Sequence, residues 1–133
     1  MALRIRGAAA VVLTAAALTG CAPSDEQVVE LTVRHSRFEP MEVRIPVGTT
    51  VRFVIRNLDP IDHELIVGPP AVHDRHEEGR ERHHHGDVPG EVSVRIGGTA
   101  ETTYTFGRPG RVAFGCHLPG HWAYGMRGRV VVG

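Results

Sequence analysis

Cys116, His121 and Met126 place a thiol, an imidazole and a thioether at five-residue intervals in the segment CHLPGHWAYGM, close to the end of the chain. A further isolated imidazole, His63, lies far upstream in DPIDHELIVG. Thiolate and thioether sulfur favour Cu(I), and imidazole accepts both oxidation states. One Cys, two His and a weakly bound Met therefore suit a single copper ion that exchanges electrons. Cys116 would ligate as thiolate, with the metal displacing its proton. The competing reading of Cys116 is a buried inert thiol, and of Met126 a core residue of the adaptable kind Met often is.

These donors need a rigid frame. Cys116 follows the apolar alternation of Val112 and Phe114, which marks the end of a strand. Pro119-Gly120 supplies a turn that carries His121 back toward the sulfur, and Gly125 is read as allowing a close approach before Met126. His63 follows a turn after the alternating Val51, Phe53 and Ile55, so it must reach the same end of the fold. Similar period-two runs occur at Leu31 and Val33, at Val43, Ile45 and Val47, at Val92, Val94 and Ile96, at Thr102, Tyr104 and Phe106, and from Gly128 to Val132. Turn signals separate them at Val47-Gly48, Asn57 to Pro60, Gly97-Gly98 and Pro109-Gly110. Many short strands with regular breaks predict an all-β sandwich or barrel.

The chain has 133 residues, enough for one domain, with 15 basic residues, all Arg, against 15 acidic ones. That balance gives no reason to expect a nucleic-acid partner. The first 20 residues read as an export signal, with Arg4 and Arg6 ahead of an apolar run too short to span a bilayer. The run ends in Leu18-Thr19-Gly20-Cys21, which resembles the lipobox of bacterial lipoproteins. That resemblance implies lipidation of Cys21 and anchoring at the outer face of a cell membrane. The alternative is an ordinary signal peptide with an incidental Cys. Residues 21–27 read as a polar tether, and residues 28–133 as the folded domain. With Cys21 assigned to lipid, Cys116 has no disulfide partner.

One segment breaks the strand pattern. Residues 69–90 are bounded by Pro and Gly and are strongly polar, with His73, His76, His83, His84 and His85 among charged neighbours. The segment is an insertion between strands. It reads either as a solvated loop, short helix or disordered stretch, or as an arm whose five imidazoles collect a second copper or zinc ion. Trp122 and Tyr124 are read as packing beside His121, covering the metal, or as ordinary packing. His117 reads as a competing ligand, an electron exit or an exposed bystander, and strand alternation, which turns it away from inward-facing Cys116, favours the bystander.

The pattern FEPMEVRIPVGTTVRFVIRNLDPIDHELIV, with its F-x-P turn, V-x-x-G-x-x-V strand pair and an Asn ahead of the His, resembles the N-terminal half of cupredoxins of the plastocyanin and azurin class. FGCHLPGHWAYGMRGRVVV resembles their C-terminal ligand loop. The resemblance covers about residues 28–133. It implies a Greek-key β-sandwich holding one type 1 copper on His63, Cys116, His121 and Met126. It also implies one-electron exchange with a redox partner protein, the protein acting as a monomer. The alternative role is copper storage, buffering or delivery, with a copper donor or acceptor protein as partner. The loop intervals also match the mononuclear loop of multicopper oxidases. Their Cys, however, is flanked by His on both sides, whereas Gly115 precedes Cys116 here. No oxygen-reducing cluster is therefore expected, and no enzymatic activity.

Overall fold

The computed structural model describes residues 26–79, 84 and 86–133. The expected export signal and the lipidation site Cys21 lie outside the described residues, as do His83 and His85 of the insertion. Among the described residues, nine strands form two mixed sheets. β1 (Glu26–Arg34), β2 (Arg37–Glu39), β4 (Thr50–Asn57) and β7 (Thr99–Thr105) make a four-stranded sheet in the order β2-β1-β4-β7. β3 (Glu42–Ile45), β5 (His63–Gly68), β6 (Glu91–Val94), β8 (Gly110–Gly115) and β9 (Arg127–Val132) make a five-stranded sheet in the order β3-β9-β8-β5-β6. Pairing is parallel between β1 and β4 and between β3 and β9. The sandwich is the expected all-β fold, with one short helix, α1 (Pro70–Glu77).

The alternation in sequence becomes the core. Leu31, Val33, Val51, Phe53 and Ile55 face inward from the first sheet, and Leu65, Val67, Phe114, Val130 and Val132 from the second. Removing each such side chain from water contributes about 1.5–3 kcal/mol. Phe38 of the first sheet meets Phe114 of the second edge-on, with ring centres 5.5 Å apart at 80°. This contact lies two residues before Cys116 and ties the start of the Cys loop to the opposite sheet.

Three boundaries differ from the sequence reading. β1 begins at Glu26, where Glu26 and Gln27 already pair with Thr50 and Val51, so the last two tether residues belong to the sheet. β3 and β6 stop before Val47 and Ile96, which are exposed because turns at Gly48 and Gly97 take over. The described residues of the insertion are also no solvated excursion. α1 lies against β5, and β5 is buried at all six positions, including those that face away from the core. Period-two alternation sends Glu64 and Ile66 outward. The helix and His84 cover them.

Candidate metal centre

His63 begins β5, Cys116 directly follows β8, and His121 and Met126 sit on the loop from β8 to β9. These elements end at one pole of the sandwich. The donor atoms of His63, Cys116 and His121 lie within 4.8 Å of one another. Cys116 Sγ is 3.3 Å from His121 Nδ1, and the His63 and His121 rings are 5.1 Å apart between centres. Met126 is buried at the foot of the loop. Its chain is stitched to the other donors, for Cys116 N–H donates to the Met126 carbonyl at 3.1 Å and Met126 N–H to that of His121 at 3.0 Å. The loop therefore forms as a unit with β8 and β9.

His63 is aimed by a polar network that sequence reasoning did not identify. Its Nε2–H donates to Asp59 Oδ2 at 2.9 Å, which leaves Nδ1 as the unprotonated nitrogen. Nδ1 is buried and has no hydrogen-bond partner. A buried acceptor without a donor costs free energy unless something else fills it. Here it belongs to the nitrogen that shares the cluster with Cys116 and His121. A carboxylate behind a ligating imidazole is the usual arrangement for fixing ring orientation and basicity. Asp59 is itself held by the His35 and Ser36 amides at 2.6 and 2.7 Å, and its own N–H donates to Asn57 Oδ1. Asn57 Nδ2 in turn donates to the carbonyls of Ile61 and Arg95. The available signal was DPIDH itself, where an acidic residue precedes the His by four.

The electrostatics suit a soft cation. Burial pushes the Cys116 thiol up to about 12, so without metal it keeps its proton at neutral pH. Burial lowers His63 and His121 below the ordinary imidazole value, leaving both rings neutral and able to ligate. Burial pulls Asp59 upward, but the Ser36 and His35 amides and His63 outweigh it and hold the carboxyl below the ordinary value. One thiol and two neutral imidazoles, with an orphaned ring nitrogen among them, fit a copper ion by donor chemistry. His121 is partly exposed. With Pro119, Tyr124, His35, Ser36 and Arg37 it lines a surface depression over the cluster.

The loop's aromatic residues divide between the two readings: Tyr124 lines the depression beside His121, and Trp122 packs elsewhere. Tyr124 is 86% exposed. Trp122 turns away from His121 and stacks on His117 and His73, with ring centres 4.6 and 4.8 Å away. Gly115 makes that possible, since a Cβ there would run into the Trp122 ring. Gly125 has open space around its Cα. Its need for glycine is its φ of +93°, where a Cβ is disfavoured, and not close approach.

His117 is no bystander. It does point away from Cys116, as alternation requires, but the insertion buries it. Its amide donates to Glu64 Oε1 at 2.9 Å. His73 Nε2–H donates to the Gly68 and Ala113 carbonyls, its Nδ1 accepts from His117 Nε2–H at 2.8 Å, and His117 Nδ1 pairs with Glu77 Oε1 at 2.6 Å. Of the insertion's imidazoles, His73 is thus committed to backbone and to His117. His76 and His84 instead converge on Glu91, a residue the sequence reading left out.

Residues 7–132 match the family model described as a cupredoxin-like domain. The chain is 36% identical over 118 residues to a copper-resistant cuproprotein CopI of Rubrivivax gelatinosus, covering 83% of this chain and 71% of that protein. It is 29% identical over 137 residues to the protein of the same description in Pseudomonas aeruginosa, covering 78% and 75%. Among solved structures, auracyanin of Roseiflexus castenholzii superposes with a TM-score of 0.68 at 20% identity, over 80% of this chain and 97% of auracyanin. At that identity the likeness speaks for the fold.

Proposed function

The chain belongs to the cupredoxin-like family, and from that premise we propose that it is a one-electron carrier with a single type 1 copper on His63, Cys116, His121 and Met126. The observation that carries this reading is the convergence of three donor atoms within 4.8 Å around a buried, unpartnered His63 Nδ1. Copper bound there would supply the Cu(II)/Cu(I) couple. The protein's part is to hold the donors still. Asp59 fixes the His63 ring, and the amide bonds between Cys116, His121 and Met126 fix the loop. The buried Cys116 excludes water from the sulfur. The partly exposed His121 is the edge nearest solvent, and the depression around it is where a redox partner would dock.

On this reading the chain acts as a monomeric carrier with no turnover of its own and no nucleic-acid partner. Lipidation at Cys21 would hold it at the outer face of the cell membrane. No helix among the described residues is long and apolar enough to cross a membrane.

A second reading, copper storage or delivery, is favoured by the description of the relatives as copper-resistant cuproproteins. One experiment separates the two. The copper-loaded protein is cycled with a reductant and an oxidant, then mixed with an apo copper acceptor. A carrier shows an intense Cys-to-copper visible band that bleaches and returns with the copper retained. A delivery protein gives its copper up to the acceptor. A folded Cu(II) form without that band refutes the type 1 assignment itself.

A further inference from the structure

We propose that His76, His84 and Glu91 form a second metal site, for a divalent ion of the copper and zinc kind, on the outer face of the five-stranded sheet. The three side chains come from different elements. His76 is on α1, Glu91 opens β6, and His84 lies on the segment between them. All three are buried, with side-chain exposures of 1, 7 and 5% for His76, His84 and Glu91. Glu91 Oε2 is 3.1 Å from His84 Nδ1 and 3.5 Å from His76 Nε2. Ligands bonded to a tetrahedral ion at ~2.0–2.1 Å stand about 3.3–3.4 Å apart. The observed separations bracket that value.

The hydrogen bonds around the cluster orient the donors inward. His76 Nδ1–H donates to the Val72 carbonyl at 2.7 Å, so the nitrogen facing Glu91 is the one with the lone pair. In the neutral ring that lone pair and Glu91 Oε2 can ligate one cation together. Arg75 occupies the other oxygen, Glu91 Oε1, at 3.0 Å, leaving Oε2 to the imidazoles. His84 presents Nδ1 to Glu91 Oε2, while its Nε2 faces Glu64 Oε2 at 3.8 Å, beyond hydrogen-bond reach. Two imidazoles and a carboxylate suit Zn(II) or Cu(II), and at equal geometry Cu(II) binds more tightly.

The site also adjoins the first one. Glu64 faces His84 with one oxygen and accepts the His117 amide, next to Cys116, with the other. This proposal uses His76 and His84 from the five imidazoles of the insertion, and adds Glu91.

The full chain, freed of metal, is titrated with Cu(II), desalted, and read by copper analysis, visible absorption and electron paramagnetic resonance. The expected result is a second copper per chain whose resonance has ordinary wide hyperfine splitting and no strong visible band. His84→Ala and Glu91→Gln each lose that second ion while keeping the visible band of the first, which also reports that the variant is folded. His83→Asn with His85→Asn keeps both ions. A wild-type protein that binds only the copper of the visible band overturns the proposal. So does retention of the second ion in both single variants, or its loss only in the His83/His85 variant. Absence of the visible band with the second ion bound would instead count against the type 1 assignment and leave this site standing.

Discussion

Asp59→Ala, compared with Asp59→Asn, tests whether the buried carboxylate sets the affinity of the metal centre or merely supports the fold. Asp59 accepts three hydrogen bonds, from the His35 and Ser36 amides and from His63 Nε2–H. Bonds to a charged acceptor are worth about 1.5–3 kcal/mol each when one partner is removed, and these share one carboxylate at a partly wet turn. Their joint loss in Asp59→Ala should cost the metal-free protein ~3 kcal/mol. The imidazole also loses the partner that fixes its tautomer and ring angle, a change that weakens metal binding about 10–100-fold. Asn is less disruptive. Its amide oxygen placed at the Oδ2 position still accepts from both His63 and Ser36, so only the His35 amide faces an NH2 group. Asp59→Asn should therefore lose ~1–2 kcal/mol of stability and recover most of the copper affinity. Urea unfolding of the metal-free proteins gives the first quantity, and competition against a chelator, read by the visible band, gives the second. If all three proteins bind copper within a factor of two while Asp59→Ala is destabilised as expected, the carboxylate is structural only and the orientation argument fails.

Copper affinity should rise about tenfold per pH unit from neutral pH upward, because binding must release the proton of a thiol pushed up to about 12. Chelator competition between pH 7 and 9 checks the slope, and a flat profile would mean the buried thiol is already ionised. Without metal, the same thiol holds its proton in the fold and loses it in the unfolded chain above the ordinary value of 9.0, so stability should fall between there and about 12 by up to ~4 kcal/mol. The sign reverses on the acid side for His63 and His121. Their folded values lie below the ordinary 6.5, so the metal-free fold loses stability as pH drops through that value, measurable as a falling urea midpoint. Gly115→Ala should displace the Trp122 ring and cost ~1–3 kcal/mol, with the Trp fluorescence shifting as the indole leaves His117 and His73. An unchanged emission spectrum would show that the loop absorbs the methyl group elsewhere.

The candidate metal centre was legible because its donors are local. Cys116, His121 and Met126 share one short loop between two strongly alternating strands, and His63 follows the Val51–Ile55 alternation across one turn. Donor type and strand ends were enough to bring three of the four to one pole. The parts that were not legible depend on what lies over a residue. Alternation correctly turned His117 to the outer face of its sheet, and on an uncovered sheet that face is wet. The cover comes from α1, whose sequence signals are weak. The helix has only eight residues, no side-chain N-cap bond and no acidic residue in its first turn. It is held by what it packs on, so propensity left a short helix as only one of several readings of the segment. Asp59 was missed for a related reason. Its partners at residues 35 and 36 are far away in sequence and meet it only when β2 and β4 flank β1.

The outer face of the five-stranded sheet explains why one strand end can serve two chemistries. Successive residues point to opposite faces. Cys116 faces the apolar core, where a sulfur donor is dry and its thiol stays protonated until a soft metal arrives. One peptide later, His117 faces a layer of buried carboxylates and imidazoles under the insertion, where burial also raises Glu64 above the ordinary carboxylate value. Charge buried in that layer must be matched by opposite charge or by hydrogen bonds. Arg75 on Glu91 and the His117 amide on Glu64 supply part of this, and the imidazoles supply the rest if each carries a proton or shares a metal ion. A cation added to that layer lies on the far side of Glu64 from the Cys116–His117 peptide. Electrostatics then require it to favour the more reduced, less positive state of the first centre. Filling the outer site should raise the potential at the inner one, a coupling that needs no conformational change because both faces belong to the same strand.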